Sequence, residues 1–71
     1  MSYKAIRKAV LAQAEELASQ VHAQKMDYHA VKPALYDSLR EQHRVTNSHA
    51  RESLTCDAMA RFHTRLAHLT E

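Results

Sequence analysis

The sequence contains no glycine and no tryptophan, and only one proline (Pro33), one cysteine (Cys56) and one phenylalanine (Phe62). Glycine supplies the positive-φ positions that hairpins and tight turns require, so its absence excludes most strand-rich architectures. It also removes the phosphate-cradling loops and strained nucleophile elbows that are built on glycine. A lone cysteine cannot close an internal disulfide, which fits a reducing, cytoplasmic setting. No apolar run approaches the roughly 20 residues that cross a bilayer. Glu15 and Glu16 also interrupt any signal-peptide reading of MSYKAIRKAVLAQAEEL. No membrane partner is expected.

What is present is the composition of helices. Apolar residues make up 45% of the 71, yet twelve of them are alanine. Each larger apolar side chain contributes roughly 1.5–3 kcal/mol when buried, against about 1–2 kcal/mol of backbone entropy per ordered residue. A chain of this size with so thin a core is marginal alone, and that motivates an expectation of self-association. The net charge of +2 with neutral histidines falls well short of the strongly basic profile of a dedicated nucleic-acid binder. The six histidines add positive charge below about pH 6.5.

Periodicity divides the chain into three amphipathic segments within a single small domain, residues 1–71. In the first, Tyr3, Ile6, Val10, Ala14, Leu17 and Val21 recur at spacings of three or four, behind Ser2 as a plausible N-cap. This predicts a helix over about residues 3–25. Ala5, Ala9, Ala12 and Ala23 fall on its opposite side, as inexpensive surface or as a second close helix contact. In the second segment Tyr28, Val31, Leu35 and Leu39 share a face, with Tyr36 and His43 beside it. Pro33 is best tolerated in a first turn, so the expectation is an irregular or single-turn connection through 26–32 and a helix from about 33 to 44. A helix capped by Asp27 and kinked at Pro33 is the alternative. The link VTNS is the clearest turn signal: Asn47 can take the left-handed conformation that ends a helix, and Asn47 or Ser48 can cap the next. The third helix is then expected over about 48–69. Its apolar face holds Leu54, Ala58, Met59, Phe62, Leu66 and Leu69, with Asp57, Arg61 and Arg65 as an i, i+4 charge series at the edge. The predicted architecture is an all-α three-helix bundle of two long helices and one shorter, associating as a helical homodimer. Its predicted core is Tyr3, Ile6, Val10, Leu17, Val21, Val31, Leu35, Leu39, Leu54, Met59, Phe62, Leu66 and Leu69.

The histidines and the cysteine invite a metal reading, because His49, Cys56 and His63 repeat at seven residues. Seven residues on a helix are separated by about 10.5 Å, whereas zinc donors lie about 2.0–2.3 Å from the ion. These three side chains therefore cannot share one ion, and no metal or other cofactor is expected. His22 and His29 meet the same objection. Cys56 also lacks a base within reach, since His63 is too distant and Asp57 points away. Glu15 with Glu16, and Asp37 with Glu41, read as solvated helix faces. No catalytic residue is assigned, and an enzyme is not expected.

Two binding functions remain. The first is a non-enzymatic interaction or regulatory module, working through dimerisation or an unidentified partner protein. Leu11, Ala18, Tyr36, Cys56 and Ala60 are its candidate interface, because each lies off a main core stripe. The alternative is a nucleic-acid-binding regulator. It would use the basic clusters Lys4, Arg7 and Lys8 near the start of the first helix, with Arg44, Ser48 and Arg51 around the VTNS turn. A third use, attachment of the first helix to a membrane surface, lacks the Trp or Phe anchors such helices carry.

Overall fold

Both long helices begin where a side-chain oxygen caps them. Ser2 accepts from the Ala5 N–H at 3.2 Å, and Asn47 accepts from the Ala50 N–H at 3.0 Å, so each satisfies one of the orphan donors of a first turn. In the computed structural model, which describes residues 2–71, these caps open α1 (Tyr3–His22) and α3 (Ser48–Thr70). Between them lie a single 3₁₀ turn, Tyr28–Ala30, and the shorter α2 (Val31–Glu41). The three-helix all-α architecture expected from periodicity is the one observed, and no strand occurs among the described residues.

The helix ends differ from expectation, for reasons of local chemistry. α1 stops at His22 rather than near 25 because Gln24 turns left-handed, at φ 61°. The Lys25 N–H then donates to the Gln20 carbonyl at 2.9 Å and the Gln24 N–H to the Val21 carbonyl at 3.0 Å. This is the pair of bonds of a Schellman closure, made here without glycine. After α2 it is Arg44, at φ 55°, that turns left-handed. Asn47 instead stays extended, at φ −78° and ψ 121°, as the cap of α3. The connection through 26–32 is part regular: the Asp27 carboxylate accepts from the His29 N–H at 3.0 Å and starts the 3₁₀ turn. That turn runs directly into α2 at Val31, two residues ahead of Pro33. Proline is accommodated there because its missing N–H belongs to the first turn, where no intrahelical acceptor exists.

α1 and α3 run parallel, with α2 antiparallel between their ends. Arg7 Nε lies 3.3 Å from Asp57 Oδ2, and further along the bundle Ala12, Glu15 and Ser19 share a recess with Arg65. Both contacts advance in the same direction along the two helices. Asp57 thus pairs across to α1, and the expected series with Arg61 on its own helix is not where its charge is satisfied. For α2 the order reverses. Tyr28, just ahead of it, packs on Phe62 and His63, while Tyr36 meets Arg51.

The core is closed within one chain. Ile6, Val10, Leu17, Val31, Leu35, Leu39, Leu54 and Phe62 are buried as expected, together with Ala14, Ala18 and Ala58. Val21, Met59, Leu66 and Leu69 are half-buried against that cluster. Tyr3 departs from the prediction: it is 53% exposed, in the first turn of α1. Ala5, Ala9, Ala12 and Ala23 are exposed. The accessible surface is 4829 Å², against about 4500 Å² from the size scaling of folded monomers. An incomplete core is therefore not a reason for self-association. Any such reason must lie in particular surface features.

Candidate functional site

A surface cleft of about 420 Å³ lies between α2 and α3, lined by Lys32 and Tyr36 on one wall and Glu52, Thr55 and Cys56 on the other. Its floor is firm. Thr55 is buried and its hydroxyl donates to the Arg51 carbonyl at 2.7 Å, so its polar atom is satisfied within α3. Tyr36 is half-buried and is held at its far end. Arg51 Nε donates to the Tyr36 hydroxyl at 3.1 Å, and the Arg51 Nη1 donates to the Val45 carbonyl at 2.7 Å. The guanidinium carbon lies 5.3 Å from the Tyr36 ring centroid, within cation–π range. One arginine therefore fixes the ring of α2, the connection after α2 and the start of α3 in a single arrangement.

Because α2 and α3 are antiparallel, the charges of the cleft separate. Lys32 lies one turn before Tyr36 on α2, and Glu52 lies one turn before Cys56 on α3, so they occupy opposite ends. The rest of the lining, Tyr36, Thr55 and the exposed Cys56 thiol, is uncharged. Ala60, one further turn along α3, is also exposed and continues the same edge.

The expected interface residues are thus divided. Tyr36 and Cys56 come together in the α2–α3 cleft, and Ala60 is exposed one turn beyond Cys56. Ala18, on the inner face of α1, is completely buried and is core. Leu11 is half-buried and packs on the core cluster.

Of the basic residues, Arg7 is paired with Asp57 and Arg51 with Tyr36 and Val45. Lys4, Lys8 and Arg44 are exposed, and Ser48 is exposed in the first turn of α3. Arg7 meets Asp57 near the middle of α3, so the basic cluster of α1 and the residues around the VTNS turn are not drawn together at one end of the bundle.

Two features were missed from sequence. The Tyr28 hydroxyl and His63 Nε2 are 2.6 Å apart, and the Tyr28 ring packs on the fully buried Phe62 at 5.7 Å between centroids. This pins the 3₁₀ turn to α3 and engages His63, while His49 and Cys56 stand elsewhere on the helix surface. The other feature is His43, whose Nδ1 is enclosed without a hydrogen-bond partner. Among the described residues no group of three or more His, Cys, Asp or Glu side chains converges as a metal site. A second, polar recess of about 230 Å³ lies between Glu15, Glu16, Ser19 and Arg65. No helix is long and apolar enough to cross a membrane among the described residues.

No protein-family model matches this chain, and no curated protein or solved structure matches it either.

Proposed function

We propose that this chain is a non-enzymatic helical binding module of the cytoplasm that docks a polypeptide in the α2–α3 cleft. The observation that carries this reading is the clamp of Arg51 on Tyr36. Aromatic anchors that are rigid before association lose little freedom on binding, and tyrosine is among the residues enriched in interface cores. The cleft walls are two helices, a shape suited to an amphipathic helix laid into a groove. The lone exposed cysteine is consistent with a reducing compartment.

A photo-reactive side chain placed at Ala60, on the rim of the cleft, tests this in cells producing the full chain. A discrete adduct that disappears when Tyr36→Glu is added supports docking at the cleft. Absence of any adduct, or adducts indifferent to Tyr36→Glu, overturns it.

The second reading, a nucleic-acid-binding regulator, is favoured by one observation: Lys4, Lys8 and Arg44 are exposed and form no ion pair among the described residues. Arg7 and Arg51 weigh against it, because their charges already serve intramolecular partners. Three phosphate contacts give a slope of about −2.7 in log affinity against log salt. Duplex binding with a slope of that order, abolished by Lys4→Glu with Lys8→Glu, supports this reading. Salt-insensitive binding or none removes it.

A further inference from the structure

We propose that the occupant of the α2–α3 cleft is a second copy of this chain, docked about a two-fold axis that lies in that face and runs across the helices, with Lys32 of each copy against Glu52 of the other. This inference rests on the docking reading above and specifies its partner. It follows from how charge is distributed along the cleft. Apart from Lys32 and Glu52 the lining, Tyr36, Thr55 and Cys56, is uncharged. The two ends carry opposite charges, and among the described residues neither Lys32 nor Glu52 forms an ion pair within its own chain.

A surface that docks on itself must match residue i with j and j with i. A two-fold axis through the middle of the cleft reverses its direction. Both ends of the cleft then bring a lysine against a glutamate. An axis parallel to the helices keeps the direction instead, setting Lys32 against Lys32 and Glu52 against Glu52. Like-charge juxtaposition of that kind disfavours the parallel alternative. One charged pattern thus both selects the second copy and sets its orientation.

Such a contact would extend beyond the cleft over the exposed sides of α2 and α3. Standard interfaces remove about 800 Å² from each partner, roughly a sixth of the 4829 Å² that one chain exposes. The small side chains of Cys56 and Ala60 on the α3 edge leave the backbone of that helix approachable by its counterpart. The Tyr36 ring, already fixed by Arg51, supplies a rigid contact from each copy.

The test uses the full chain and the two charge reversals Lys32→Glu and Glu52→Lys, both at exposed positions, compared by sedimentation equilibrium. Each reversal alone converts both end pairs of the homodimer from attraction to repulsion, and dimerisation should weaken about tenfold or more. An equimolar mixture of the two variants restores opposite charges at both ends of the mixed dimer. Its affinity should return to within about threefold of wild type. Unchanged helical circular dichroism of each variant shows that folding is intact. A short bis-maleimide should join two wild-type copies through Cys56, near the axis, giving a product of twice 8.1 kDa.

A dimer equally stable in both charge variants, or a mixture no tighter than its components, overturns the proposal. So does a wild-type monomer at the highest soluble concentration. If that monomer still forms a Tyr36-dependent adduct from position 60 with a different protein, the second copy is wrong and the docking cleft stands. If neither dimer nor adduct forms, both fall together.

Discussion

Arg51 binds the Tyr36 hydroxyl with one nitrogen and the Val45 carbonyl with another, so a single side chain of α3 organises both the cleft wall and the connection that precedes it. A planar guanidinium can serve two acceptors set apart in this way, and a lysine ammonium cannot. Arg51→Lys should therefore lose one of the two bonds and cost about 1–2 kcal/mol, for a charged donor at a half-exposed site. In a domain of this size that lowers the melting temperature by roughly 4–16 °C. Thermal unfolding followed by circular dichroism checks it, and melting coincident with the parent would mean that Tyr36 is not held by this contact.

The buried cluster makes a contrast that a wrong core would fail. Leu35 and Phe62 are completely enclosed while Tyr3 is 53% exposed. Leu35→Ala and Phe62→Ala should each destabilise by about 2–5 kcal/mol. Tyr3→Ala should stay within about 0.5 kcal/mol of the parent. Urea denaturation of the three variants separates the cases, and a large loss at Tyr3 would place that ring in the core after all.

The left-handed residues give the opposite sign. Gln24 at φ 61° carries a side chain where glycine avoids a steric cost of roughly 1–2 kcal/mol. Part of that gain is offset by the extra freedom glycine has when unfolded. Gln24→Gly should therefore stabilise by about 0.5–1 kcal/mol, read as a higher melting temperature. A lower one would show that the side chain makes contacts outweighing the strain.

These positions also show what the sequence revealed and what it concealed. The long helices were legible because Ile6, Val10, Leu17 and Leu54, Phe62 recur at helical spacing, and because Ser2 and Asn47 are good caps. The helix ends were less so. In a chain without glycine the left-handed closures fall on Gln24 and Arg44, residue types that carry no turn signal of their own. The start of α2 was misplaced because Pro33 fits the third helical position as well as the first. Alanine is ambiguous by nature: Ala18 and Ala12 read alike, yet one is core and the other surface, since burial there depends on which helix lies opposite. Tyr36 and Cys56 stood out individually as lying off the main faces. Their meeting in one cleft, and the opposite placement of Lys32 and Glu52, depends on the antiparallel register of α2 and α3, which no local pattern encodes. The Tyr28–His63 contact was hidden for the same reason, being made across 35 positions of sequence.

The most direct measurement is the backbone amide spectrum of the wild-type chain recorded from dilute to concentrated solution. Self-docking at the cleft predicts concentration-dependent shifts confined to the exposed face of α2 around Lys32 and Tyr36 and of α3 from Glu52 to Ala60, with α1 unchanged. A spectrum independent of concentration, or shifts centred on Lys4, Lys8 and Arg44, would contradict the docking of a second copy in this cleft.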